Sequence, residues 1–99
     1  MLVEFVVTAE KKVQARSWAR VDGGALTSSG EGAPADAADI TFSAKSADAQ
    51  ALHDGTLDLS VGFMRGQVKM AGDFGMLLKF LPLTVGPAPA VPVAALLPA

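Results

Sequence analysis

Cysteine is absent from this chain of 99 residues. With it go disulfide bonds, thiol nucleophiles and thiolate metal sites, and the redox compartment is left undetermined. Histidine occurs once, as His53, with only Asp54 beside it, so a zinc site lacks ligands and a catalytic triad lacks partners. His53 is expected at the surface. Charged residues make up only 18% of the chain, the formal net charge is -2, and no basic run exceeds Lys11-Lys12. Binding a phosphate backbone needs a dense cationic face, so nucleic acid is not an expected partner. The apolar stretches fall well short of the roughly 18 residues that suggest a spanning helix. The start, Met1-Leu2-Val3-Glu4-Phe5, has no basic flank and is interrupted by Glu4, unlike a secretory signal. A soluble, cytoplasmic protein is the expectation.

Catalytic equipment is equally thin. The acids are scattered over turns and caps, and no pair sits in apolar surroundings that would split two carboxyl pKa values. Gly23-Gly24 and Gly30-Glu31-Gly32 do not lead from a buried strand into a strong helix as a phosphate-cradling loop does, so they read as turns. The expectation is a non-enzymatic protein with no cofactor and no metal.

What the chain does have is apolar side chains, 51% of its residues. A single domain of this size buries only about two thirds of its unfolded surface, so part of that surplus is expected to line something other than the core. Leu2 to Thr8 predicts a strand, with Val3, Phe5 and Val7 on a fully apolar face. Val13, Ala15, Ala19 and Val21 alternate with Gln14, Arg16, Arg20 and Asp22 in a second, two-sided strand. Trp18 falls on its polar side, covering the rim of a neighbouring element or flanked by arginines. Asp22-Gly23-Gly24 then predicts a hairpin turn. Ala25 to Gly32 is weakly patterned, Ala33 to Asp39 carries Pro34, and a surface loop is expected there.

Ile40, Phe42 and Ala44 mark another half-buried strand. Ser46 is placed to cap a short helix with Asp48 in its first turn and Gly55 as its terminator. Leu57 to Met64 fits a strand through Leu57, Leu59, Val61 and Phe63, or a helix capped by Thr56 through Leu57, Val61 and Met64. Gln67 to Ala71 alternates as a strand with one wet face. Asp73 caps a helix ending before Pro82, apolar nearly all round, with Lys79 its only charge. Val85 to Ala99, with Pro87, Pro89, Pro92 and Pro98, favours extended or irregular backbone. Met64, Met70 and Met76 suit either an irregular cavity or an ordinary core with methionine as gap filler.

The run from Phe63 through Arg65, Gly66, Lys69, Gly72 and Asp73 to Phe80 resembles the C-terminal signature of the sterol carrier protein 2 domain. Asp39-Ile40-Thr41-Phe42-Ser43 and the Ser46 to Gly55 segment look like the preceding strand and helix of that domain. The resemblance implies an α+β fold: a five-stranded, mostly antiparallel sheet with helices packed on one face around a hydrophobic cavity. It makes Leu57 to Met64 a helix. It implies non-enzymatic binding, and transfer, of a fatty acid, acyl-CoA or sterol, with Phe63, Met64, Val68, Met70, Met76, Leu77, Phe80 and Leu81 as the ligand-binding residues. Lys69, Lys79 or Arg65 would hold a carboxylate or phosphate at a mouth. On this reading residues 1–84 form the domain, short of the family's front helices, and 85–99 form a Pro/Ala-rich tail. The carboxyl terminus is not a peroxisomal address. Besides lipid, the partners expected are a transient membrane contact and a homodimer or partner protein. The alternative function is a dimerisation or interaction module whose apolar face packs on another chain.

Overall fold

The computed structural model describes residues 1–34 and 36–84 together with Val91, Val93, Leu96 and Leu97. Strand β1 (Leu2–Ala9) lies at the centre of a five-stranded sheet of order β3-β2-β1-β4-β5. Its position explains its composition. Val3 and Phe5 are buried on one face and Leu2 and Val6 on the other, so only Glu4 breaks the apolar run from Leu2 to Val7, as befits a strand covered on both sides. β2 (Lys12–Asp22) pairs antiparallel with β1 through a two-residue turn at Glu10 and Lys11, and β4 (Ile40–Lys45) pairs parallel with β1 on its other side. β5 (Val68–Gly72) closes that edge antiparallel to β4.

Ala25 to Gly32, too weakly patterned for an element to be assigned from sequence, forms strand β3 (Ala25–Glu31), antiparallel to β2, so Gly30 and Glu31, read as part of a turn, lie in a strand. Gly23 and Gly24, at φ +59° and +79°, make the hairpin turn that their sequence predicts, and the turn brings the segment back along β2. β3 is an edge strand with only Leu26 and Gly30 partly buried. Its hydrogen bonds come from β2, so it needs no apolar alternation of its own. Trp18 lies on the outer face across Gly30, where an added Cβ would come within 2.8 Å of the indole.

Helix α1 (Ser46–Asp54) starts one residue differently from expectation: Lys45 occupies the cap position and no side chain caps the helix. Ser46 is already inside, because β4 runs directly into the helix with no intervening loop. Gly55, in the left-handed region, ends it. Leu57 to Met64 resolves as α2 (Leu59–Met64), entered from Asp58 rather than capped by Thr56, whose hydroxyl donates to the Ala51 carbonyl instead. α3 (Phe74–Phe80) is capped as expected, with the Asp73 carboxylate accepting from the Met76 amide at 3.1 Å. A 3-10 turn, Leu81–Thr84, follows and contains Pro82.

The core is the layer between one face of the sheet and these helices. Register places Val3, Phe5, Ala19, Ile40, Phe42, Ala44 and Val68 on that face. Ala49 and Leu52 of α1, Leu59 of α2 and Leu77 and Phe80 of α3 pack onto them. The rings of Phe5 and Phe42 are 6.1 Å apart and those of Phe42 and Phe80 5.8 Å, tilted in both pairs, so aromatic contact runs from central strand to α3. Val91, Leu96 and Leu97 belong to the same core, and the Ser17 hydroxyl on β2 donates to the Leu96 carbonyl. Val93 packs against this core as well, and the rest of the predicted irregular tail lies outside the described residues.

Candidate functional site

The residues picked out from the sequence for ligand binding fall into three positions in this layer. Val68, Leu77 and Phe80 are fully buried: Val68 because it lies on the helix-facing side of β5, against Gly62 of α2, the other two because they lie on the sheet-facing side of α3. Phe63, Met70 and Leu81 are half-buried and pack against the core from α2, β5 and the 3-10 turn. Met64 is 83% exposed at the end of α2, and Met76 is 36% exposed on α3. Phe74 and Leu78 join them at 56% and 58%. A seven-residue helix pressed to a sheet has one inward side, and α3 carries more apolar side chains than that side takes.

Two open clefts flank this layer, and neither is lined by those residues. The first, of about 430 Å³, lies between α1 and the inner face of β1 and β2. Val7, Ala15, Ala49 and Leu97 give it apolar walls and Gln50 and His53 a polar edge. The alternation of β1 and β2 already places Val7 and Ala15 on the apolar side; nothing local in the sequence brings Leu97 there. The second, of about 380 Å³, lies at the end of β4, beside the start of α1 and the α2–β5 turn. Lys45, Arg65 and Lys69 line it with Asp48 and Gln67. Arg65 and Lys69 are thus brought together, with Lys45, which sequence reasoning left out; Lys79 lies apart on α3. Among the described residues no three acidic or histidine side chains converge as a metal site would require, and no helix is long and apolar enough to cross a membrane.

Residues 2–84 match the family model of the SCP-2 sterol transfer family. The chain belongs to this family. No curated protein matches the sequence. Among solved structures, a sec-alkylsulfatase from a Pseudomonas species shares 25% identity at a TM-score of 0.59, over 90% of this chain and 13% of that one. Ligand-free sterol carrier protein 2 from Yarrowia lipolytica shares 20% identity at a TM-score of 0.61, over 81% of this chain and 60% of that one. Sterol carrier protein 2 from Aedes aegypti, in complex with the C16 fatty acid palmitate, shares 18% at 0.55, over 82% and 69%. The chain therefore spans a small part of the sulfatase and roughly two thirds of the sterol carrier proteins. The fold expected from the SCP-2 resemblance is the one observed, α+β with a mostly antiparallel five-stranded sheet and helices on one face.

Proposed function

We propose that the protein is a non-enzymatic binder of a lipid with a long acyl chain, held in the apolar layer between sheet and helices. The observation that carries this reading is membership of the SCP-2 sterol transfer family across 2–84, and the palmitate complex of a relative with the same fold supports it. The ligand contacts Phe63, Val68, Met70, Leu77, Phe80 and Leu81, with Met64 and Met76 at the rim. Phe80 sits on Phe42 within that layer, so binding selects a state in which α2 and α3 stand off the sheet. The methionines and the cleft lined by Val7, Ala49 and Leu97 supply the give and the entrance. Residues 1–84 are the lipid-binding domain, with Val91, Leu96 and Leu97 packed into its core, in a cytoplasmic protein that meets membranes transiently to load and unload. Burying a twelve-carbon chain at about 0.8 kcal/mol per methylene supplies about 9 kcal/mol before entropic costs, enough for micromolar affinity.

Titrating a fluorescent C16 fatty acid into delipidated protein should give saturable, micromolar binding. A charge at the rim, as in Met76→Glu, should weaken it at least tenfold without lowering the melting temperature by more than a few degrees. A folded sample with no saturable binding overturns the reading.

A second reading is favoured by the exposure of Met64, Phe74 and Leu78 and by the small share of the sulfatase that this fold occupies. In it the chain is an interaction module whose apolar helices meet another protein. Sedimentation of delipidated protein separates the two: a clean monomer across micromolar concentrations rules out the homodimer, and a concentration-dependent dimer that excludes the fatty acid supports it.

A further inference from the structure

We propose that the cleft between the end of β4, the start of α1 and the α2–β5 turn is a phosphate-binding site. The chain as a whole is acidic, with a formal net charge of -2 and only 8 basic residues, yet Lys45, Arg65 and Lys69 line this one cleft from three separate places in the fold. Among the described residues the ion-paired carboxylates engage the amino terminus, Arg16, Arg20 and His53, and none of these three cations. Like charges sharing a cleft repel one another, and a bound anion removes that cost. Lys69 alone has an ordinary explanation as a charge on an edge strand. Lys45, on an inner strand, and Arg65, at a helix end, do not share it.

The neutral groups narrow the ligand further. Asp48 is the acid that lines the cleft, and its carboxylate accepts a hydrogen bond of 3.0 Å from the Gln67 amide nitrogen. That bond assigns the amide's orientation and leaves the Gln67 Oε1 buried without a donor. Ser43 adds a hydroxyl on the side of Lys69, its register partner in β5. A planar carboxylate presents two oxygens in one plane, whereas a tetrahedral phosphate takes donors arriving from β4, β5 and the α2–β5 turn together. The ligand class is a phosphate ester, either free or as the head of a phospholipid. Ser43 and Lys69 alternate with Phe42 and Met70 along their strands, so the site lies off the apolar layer and does not rest on the fatty-acid reading.

The test is a nitrogen–proton NMR titration of the full chain with inorganic phosphate, glycerol 3-phosphate and a short-chain phosphatidic acid. Saturable shifts should centre on Ser43, Lys45, Asp48 and 65–69, including the Gln67 side-chain amide. Lys45→Gln and Lys69→Gln should each weaken glycerol 3-phosphate about fivefold, and Lys12→Gln should not. These are exposed positions, and the same spectra report whether each variant is folded. Phosphatidic acid shifting the cleft and the helix side together identifies a phospholipid head; shifts from glycerol 3-phosphate in the cleft with none from phosphatidic acid identify a soluble ester. Shifts spread evenly over Lys11, Lys12 and Lys79, the absence of saturation, or unchanged affinity in Lys45→Gln and Lys69→Gln overturn the proposal.

Discussion

Gly72 stands at φ +120°, and a Cβ placed on it would overlap the carbonyl oxygen of Asp39. That same oxygen accepts from the Asp73 amide at 3.1 Å, while the Asp39 carboxylate accepts from the Leu2 amide at 2.8 Å, so one residue ties together the starts of β1 and β4 and the junction of β5 with α3. The glycine of the Gly-Asp pair is thus needed for close approach as much as for its backbone angle. Gly72→Ala should cost about 3 kcal/mol or more in urea unfolding, from strain plus displacement of backbone. Gly23→Ala, with open space around it, should cost only about 1 kcal/mol. Equal losses at the two positions would show that contact with Asp39 is not what sets the requirement. The opposite effect is expected at the β1–β2 turn. Glu10 and Lys11 hold φ of +52° and +66° without being glycine, so replacing the pair with Asn-Gly should raise stability by about 1 kcal/mol, read as a higher urea midpoint at unchanged slope.

Among the elements, the two helix starts set capping against chain continuity. Asp73 follows the end of a strand, takes extended backbone and reaches the Met76 amide. Ser46 has the right chemistry for a cap but the wrong position, since β4 ends at Lys45 and the helix begins on Ser46 itself. Asp73→Ala should therefore destabilise by about 1 kcal/mol and Ser46→Ala by less than about 0.5 kcal/mol; a larger loss at Ser46 would contradict the assignment of Lys45 as the cap. Leu57 to Met64 shows the limit of periodicity over a short run. Both templates fit its spacing, and the helix wins because Leu59 is buried and Gly62 lies so close to Val68 that an added Cβ would come within 2.9 Å. In α3 the all-round apolar pattern was legible, but not which side faces the sheet: Leu77 and Phe80 are covered, Phe74 and Leu78 are not.

For the whole molecule, the carboxyl-terminal side chains complete the core. Val91, Leu96 and Leu97 are buried at 0%, 1% and 9% exposure, and Leu96 is fixed to β2 through Ser17. Leu96→Ala should cost about 2–4 kcal/mol, by loss of apolar burial and the cavity left behind. Thermal or urea unfolding of the full chain checks this, and a loss under about 1 kcal/mol would mean that the segment only rests on the surface. Such a residue is invisible as core in a stretch whose prolines forbid helical or strand periodicity. The candidate site divides in the same way: burial of Val68 on β5 follows from alternation, whereas the meeting of Lys45 with Arg65 and Lys69 needs β4 beside β5. The sequence alone determined β1, β2, β4, β5, the Gly23-Gly24 turn, the Asp73 cap and the family, because alternation, turn chemistry and motif order act within a few residues. Tertiary structure alone decided that Ala25–Glu31 is a strand, that Leu96 is core and that three cations share a cleft. The last two depend on partners distant along the chain, as Ser17 and Leu96 are at a separation of 79 residues, whereas β3 takes its hydrogen bonds from β2 across the adjacent hairpin and shows no alternation of its own.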